Sequence, residues 1–344
     1  MTYQITPDLL ERAKKLHQSC FVADAHYDLL KVVCDKRAAG RTNVIATDYL
    51  PAIKAGGVNL LICSIYIDDC YIPEMALRQA LAQIASLHEE IAESGGALAL
   101  CRSTAEIRSA VKAGKVAILL SFEGVEPLGC DLRLLRVFYE LGVRGVGLVW
   151  SRRNYAADGC FFNPVEEGRK GGITHWGVKL LREIERLGMY TDAAHLNDEG
   201  FWDLCRLTTR PFMSSHTNCR ELTPVMRNMT DDQIRALAER GGVMGMNCCG
   251  SFVRDLSTGP ANAADLANHG AHVKQAAGAQ HLCFGFDFCD EIRAAKGQPA
   301  KDCSPYYDSS FELTAQLLAR GFSEDELRGV LGENILRFLE SVIG

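Results

Sequence analysis

Six residues of metal-binding or proton-transferring type stand directly after short apolar runs in this 344-residue chain. They are His26 and Asp28 in DAHYD, Glu123 in SFEG, His195 in DAAH, His216 in SSHT and Asp287 in GFDF. Imidazole nitrogens and carboxylate oxygens are the donors that zinc and other first-row divalent ions take. Taken one at a time, each has an ordinary explanation: a strand-end histidine, a solvated carboxylate, a turn residue before Gly124, a cap. Their shared placement carries the argument. Of nine histidines these three follow apolar runs, whereas His17, His88, His175, His269, His272 and His281 fall in or beside helical segments or at the start of a run. Those six read as structural or surface residues. His26 and Asp28 are two apart, so on a strand they face the same side.

Three imidazoles and two or three carboxylates exceed the roughly three protein ligands of a single catalytic zinc. A pair of ions about 3.5–4 Å apart, sharing a carboxylate and a hydroxide, fits the count better. Glu123 is the expected bridge, between a His26/Asp28 side and a His195/His216 side. Two divalent ions set against Asp28, Glu123 and a hydroxide leave about one positive charge, which suits an anionic substrate and an oxyanion-like transition state. Nitrogen and oxygen donors without thiolate favour Zn2+, with manganese, cobalt and iron as alternatives.

The elements that must bring these residues together are legible as alternation. Apolar runs at 21–26, 58–66, 116–122, 143–149, 189–194, 211–215, 242–247 and 281–286 predict eight strands. Helical patterns fill the gaps at 74–94, 131–141, 174–187, 198–207, 230–240, 262–277 and 309–320, and only 27–57 lacks a clear one. Eight strand–helix repeats predict a closed (β/α)8 barrel, whose chemistry sits at the strand C-termini. A further run, ALALC at 97–101, is read as an inserted segment. Thr6 and Pro7 open a first helix within 1–20. No linker divides the chain, so one domain is expected over 1–344, with the barrel at 21–322 and a helical tail at 323–344. The stretch 154–172, rich in glycine and charge, is expected as a loop over the rim and a candidate lid.

Composition removes other classes. Thirty-seven basic against 43 acidic residues give a net charge of −6, which offers no field for nucleic acid or an anionic membrane. No apolar run approaches a membrane span, and the first nineteen residues are charged where a secretory leader would be apolar. Fourteen cysteines without a C-x-x-C pair read as reduced thiols in a cytoplasmic protein. The adjacent Cys248 and Cys249 have no visible activating base.

From about Phe21 to the C-terminus the chain resembles the membrane (renal) dipeptidase family of dinuclear zinc peptidases. The resemblance rests on DAHYDLL at 24–30, FEG at 122–124, GGITHWG at 171–177, DAAHLND at 192–198, SSHTNCREL at 214–222, RNMTDDQI at 227–234, GFDF at 285–288 and the closing GFSEDELRGVLGENILRFLE. It implies that His26 and Asp28 bind one zinc, that His195 and His216 bind the other, and that Glu123 bridges them. It also implies that Asp287 moves the proton from the attacking water to the leaving amine, and that Arg227 clamps the substrate's terminal carboxylate. A homodimer is expected on the same ground. Two positions depart from well-known members: Trp150 replaces a histidine assigned to the substrate carbonyl, and Asn247-Cys248-Cys249 replaces Asn-Phe-Tyr. Trp150 and Asn247 are retained as substrate-side candidates, and Arg152 or Arg153 as a replacement positive charge.

The expected function is therefore hydrolysis of dipeptides, or similar N-acyl amino acids, by a dinuclear zinc site. Two alternatives keep the barrel: a lactonase or phosphoester hydrolase, marked by activity on lactones or aryl phosphates but not peptides, and a non-catalytic barrel that binds a small ligand or partner, marked by a metal-loaded protein that turns over none of these.

Overall fold

The apolar runs become the strands of one parallel sheet in a computed structural model that describes residues 4–162, 165–166, 168–304 and 306–344. The strands are β1 (Val22–Tyr27), β2 (Val58–Tyr66), β3 (Leu98–Leu100), β4 (Val116–Glu123), β5 (Val143–Gly147), β6 (Tyr190–Asp192), β7 (Met244–Met246) and β8 (Leu282–Phe284). Hydrogen bonding runs in the order β6-β5-β4-β2-β1-β8-β7. The remaining gap is closed by the run at 211–215, where Met213 bridges Asp192 and Ser214 bridges Met244, both in parallel. This is the expected (β/α)8 barrel. Its sixth staff is reduced to two bridges, and Pro211 at the head of that run has no N–H to add to a ladder.

Two expectations are corrected. The segment 97–101 is not an insertion, because Leu98, Ala99 and Leu100 pair with Val116, Ala117 and Ile118 of β4. Since β2 takes one edge of β4 from Ala117 to Glu123, β3 and β5 share the other edge, β3 below and β5 above. The gap 27–57 is helical too, with helices at Leu29–Ala38 and Leu50–Ala55. In the first of these Leu29, Leu30 and Val33 are buried while Val32 and Cys34 are half-buried, so the apolar residues spread around the axis and leave no clean stripe.

The seven expected helices form at Ala76–Glu93, Arg133–Leu141, His175–Leu187, Asp198–Leu207, Asp231–Glu239, Ala263–Ala277 and Phe311–Ala319. Several start where a side chain takes an otherwise unpaired amide: Thr174, Asn197, and Thr230 with Gln233 in a reciprocal capping box. The tail is part of the core. Ile335, Phe338 and Leu339 of the last helix, Asn334–Val342, are buried against Ala23, Leu60, Leu119 and Met213 at the barrel's N-terminal end. The opposite rim is left open for chemistry. No helix among the described residues is long and apolar enough to cross a membrane.

Candidate metal centre

The β2–β4 register ends with Tyr66 opposite Glu123, which puts the Glu123 carboxylate at the C-terminal rim. His26 lies in β1 and Asp28 just beyond it, His195 follows β6, His216 follows the 213–214 bridges, and Asp287 follows β8. All six converge. Glu123 Oε1 is 3.6 Å from His26 Nε2, 2.9 Å from His195 Nε2 and 3.4 Å from His216 Nε2. His26 Nε2 is 3.6 Å from Asp28 Oδ1 and 3.9 Å from Asp287 Oδ1, while Asp287 Oδ2 is 4.0 Å from His216 Nε2. The Nε2 atoms of His195 and His216 lie 2.9 Å apart, and the His26 and His216 rings stack with centroids 3.7 Å apart.

A ring of hydrogen bonds aims these donors. His195 Nδ1 is 2.8 Å from Ser151 Oγ and His216 Nδ1 is 2.7 Å from Ser215 Oγ, so both imidazoles present Nε2 inward. Ser64 donates to Asp28, and Asn247 Nδ2 donates to Asp287 Oδ2 at 2.9 Å. Two buried aspartates tie the strand ends together. Asp24 accepts from the amides of His26 and Phe286, and Asp192 from those of Ala194 and Ser215. Sequence reasoning had singled out none of Asp24, Ser64, Ser151, Asp192 or Ser215. The aspartates did carry a local signal, standing two and three residues before a rim histidine in DAH and DAAH.

Burial dominates the electrostatics. It pushes the Glu123 and Asp287 carboxyls well above the usual carboxylate range, with repulsion from Asp28 adding to it. Burial, then the nearby Arg227 and His26 charges, holds His195 and His216 well below the usual imidazole range. Burial also opposes charge on His26, but Glu123, Asp28 and Asp287 outweigh it and raise that imidazole to about 10. Asp28 is lowered, because hydrogen bonds from His26 and Ser64 overcome its burial. Such a cluster repels itself unless cations or protons lie between its members. Two of its inward atoms, His26 Nε2 and Glu123 Oε2, are buried without a hydrogen-bond partner. The lowered His195 and His216 imidazoles, the carboxylates and the orphaned inward atoms together fit divalent cations, and three overlapping triads each bring their ligand atoms within 4.8 Å of one another: His26/Asp28/Glu123, Glu123/His195/His216 and His26/His216/Asp287.

The backbone bends to make this placement. His195 and Asp287 adopt positive φ, 68° and 55°, a region costly for residues with a Cβ. Beneath them, Gly245 and Gly285 each lie so close to the Ser215 carbonyl that a Cβ on either would stand 1.8 Å from its oxygen. The hydroxyl and imidazole of Ser215-His216 reach the centre because these two glycines let three chain segments close up.

The centre opens into a cavity of about 740 Å³ whose lining includes the polar Asp28, Glu123, His195 and Asp287 and the aromatic Tyr66, Trp150, Phe162 and Phe252. Trp150 packs against Tyr66, Phe162 and His195 at 5.4, 5.2 and 5.9 Å between centroids. Asn247 and Arg227 sit behind this wall. Asn247 is fully buried against Asp287. Arg227, 3% exposed, donates to Thr217 Oγ1 and the His216 carbonyl, leaving Nε without a partner. Arg152 pairs with Glu126 and Asp69, and Arg153 with Asp158, so the structure supplies carboxylates for both charges. The 154–172 stretch is anchored by bridges from Ala157 to Ile173 and Gly159 to Leu196. Residues 163, 164 and 167 of that expected lid lie outside the described residues.

Residues 10–343 match the family model of the membrane dipeptidases, peptidase family M19. The chain is 30% identical over 300 residues to the dipeptidase aclJ of Aspergillus oryzae, covering 85% of this chain and 69% of that protein. It is 30% identical over 270 residues to an uncharacterised Klebsiella pneumoniae protein from the pqqA 5′ region, covering 76% and 94%. A Rhodobacter sphaeroides metallopeptidase, solved with a phosphinate mimic of the dipeptide L-Ala-D-Ala, superposes with a TM-score of 0.84 at 28% identity, over 94% of this chain and 99% of that one. On the sequence match over nearly its whole length, the chain belongs to the membrane dipeptidase family, peptidase family M19.

Proposed function

We propose that the protein is a dinuclear metal-dependent dipeptidase that hydrolyses the amide bond of dipeptides or similar N-acyl amino acids. The observation that carries this is the convergence of three imidazoles and three carboxylates, with orphaned inward atoms, on the floor of a cavity large enough for a dipeptide. His26 and Asp28 would hold one ion, His195 and His216 the other, and Glu123 both; zinc suits these nitrogen and oxygen donors. Bound there, the ions would supply Lewis acidity toward the scissile carbonyl and the attacking water.

The chain's own residues do the rest. Asp287, at the cavity wall with its carboxyl raised by burial, takes a proton from the attacking water and returns it to the amine nitrogen as the C–N bond breaks. Asn247 fixes which way that carboxylate faces. Tyr66, Trp150, Phe162 and Phe252 form an apolar wall that receives substrate side chains and excludes water. Arg227 is the candidate clamp for the substrate's free carboxylate: its Nε is unpartnered, and its guanidinium lies 5.7 Å from the ring of cavity-lining Phe252. Fourteen free cysteines agree with a reducing, cytoplasmic setting.

The test is turnover of a dipeptide panel by metal-replete protein, with C-terminally amidated dipeptides as controls and metal stoichiometry measured by mass spectrometry. Turnover of free dipeptides with about two metals per chain is expected. Equal rates on amidated substrates would remove Arg227 from its role. Turnover of lactones or aryl phosphates with none of peptides would overturn the reading.

A further inference from the structure

Charge is distributed unevenly over the cavity lining. Besides Asp28, Glu123, His195 and Asp287 of the metal centre, its charged residues are Arg254, Arg293, Lys296, Lys301 and Asp255. Four cations against one carboxylate is the reverse of the chain as a whole, whose net charge is −6. Two of the four have carboxylate partners: Arg254 Nη1 pairs with Asp265 at 3.1 Å and Lys296 Nζ with Asp68 at 2.8 Å. Arg293 and Lys301, both half-buried, have no carboxylate within 4.0 Å among the described residues. Their backbones and stems are nonetheless fixed. Arg293 donates through Nε to the Pro299 carbonyl at 2.8 Å, which leaves its two terminal nitrogens for another acceptor. The Lys301 amide donates to Asp290 Oδ1 at 2.5 Å, and its carbonyl accepts from Gly250 N at 2.8 Å. A Cβ on Gly250 would stand 2.5 Å from that carbonyl oxygen, so glycine permits the approach. The bonds of Arg293 to Pro299 and of Lys301 to Asp290 cross-tie the helix Asp290–Ala295 to the loop that follows it, and so keep the two cations on one patch.

We propose that Arg293 and Lys301 form a cationic subsite of the cavity that receives a carboxylate side chain, so that dipeptides carrying Asp or Glu are the preferred substrates. The reaction rests on the dipeptidase reading, whereas the charge preference rests on the lining alone. A dipeptide such as Ala-Glu brings two carboxylates and one ammonium. With the terminal carboxylate assigned to Arg227, the side-chain carboxylate needs donors of its own. Arg293 offers a planar guanidinium able to make two parallel N–H bonds, and Lys301 a point charge on a flexible stem. The patch follows β8 and Asp287 in the chain and lines the same cavity as the reacting groups, so one substrate can reach both. A volume of about 740 Å³ leaves room for a long side chain beside the peptide unit. Glutamine has nearly the shape of glutamate but brings no charge to the two cations, and a charge-assisted hydrogen bond lost in this way separates the two substrates by about tenfold or more.

The experiment compares metal-replete wild type, Lys301→Gln, Arg293→Gln and the double variant on Ala-Glu, Ala-Gln, Glu-Ala, Gln-Ala and Ala-Ala, each in both configurations of the C-terminal residue. In wild type, kcat/KM for a Glu peptide is expected to exceed that for its Gln counterpart by at least about tenfold. The ratio should shrink in molar salt and approach one in the double variant. Lys301→Glu should turn the preference toward Ala-Lys or Lys-Ala. Equal rates on Glu and Gln peptides in wild type would overturn the subsite, and an unchanged ratio in the folded double variant would remove these two residues from it. A loss on Ala-Ala as large as that on Ala-Glu would also overturn it, since the cations would then hold the terminal carboxylate. Should the double variant fold poorly, the single variants and the salt dependence decide. Protein that turns over none of the peptides would count against the dipeptidase reading alone. Calorimetric binding of Ala-Glu against Ala-Gln then decides the charge preference, with equal affinities overturning it.

Discussion

Ser151→Ala isolates the idea that the rim histidines are metal ligands aimed by hydroxyls. Ser151 Oγ lies 2.8 Å from His195 Nδ1, and its other side-chain neighbour is the Cys160 sulfur at 4.0 Å. Removing one oxygen therefore leaves a small void and a single lost hydrogen bond. That bond alone contributes about 1 kcal/mol, or roughly fivefold in an equilibrium constant. The loss falls on a ligand whose tautomer and ring orientation the hydroxyl sets, and partners of this kind change metal affinity by about 10- to 100-fold, or about 1.4–2.7 kcal/mol. The expected outcome is a metal affinity weakened within that range, with the thermal midpoint of the metal-free protein nearly unchanged. Competition titration against a chromophoric chelator, paired with thermal unfolding of metal-free protein, reads both. Because His195 and His216 are 2.9 Å apart, the double variant with Ser215→Ala should depart from the sum of the singles. An affinity within about twofold of wild type, in a fully folded Ser151→Ala protein, would refute the assignment of His195 as a hydroxyl-aimed ligand.

Other expectations follow from separate features. Asp287→Asn keeps the shape of the side chain but cannot accept the water's proton, so kcat should fall about 100- to 10,000-fold while metal content stays at the wild-type level; loss of metal instead would recast Asp287 as a ligand. Gly245→Ala places a Cβ 1.8 Å from the Ser215 carbonyl oxygen, and the forced backbone shift should cost several kcal/mol, visible as a collapsed melting temperature or insoluble protein. Acid should destabilise the fold through His269, which is 1% exposed and lowered from 6.5 to about 4 by burial. Between those values the unfolded chain binds a proton that the folded one refuses. Stability therefore falls as pH drops through that window, by about 3 kcal/mol, and urea titrations across it should show a shallower loss in His269→Gln.

How much of this was readable in advance depended on how local each signal is. The rim residues were legible because a parallel barrel converts position at a strand end into position in space; His195 and His216 are twenty-one residues apart yet their ring nitrogens lie 2.9 Å apart. Helices with polar caps and a clean apolar stripe were legible for the same kind of reason. Leu29–Ala38 was not, since its apolar residues spread around the axis. Nor was β3, whose three residues become a strand only through the lower edge of β4. Hydroxyl partners such as Ser64 and Ser151 left no mark in sequence, because serine is common and its role depends on a neighbour thirty-six or forty-four residues away. The placement of Arg227 behind His216 was equally non-local, as it depends on which side of the rim the segment after SSHTN turns.

The positive φ angles of His195 and Asp287 have a consequence that needs no substrate to measure. At most sites glycine is the less stable choice than alanine, because an unfolded glycine has more freedom to lose. At 68° and 55° that order should reverse, with His195→Gly and Asp287→Gly each more stable than the matching alanine variant by about 1 kcal/mol. A denaturation survey of paired substitutions, made on protein stripped of metal, would then mark these two rim positions, together with Asn43 at 54° away from the rim, as places where the polypeptide accepts local discomfort to keep a particular side chain.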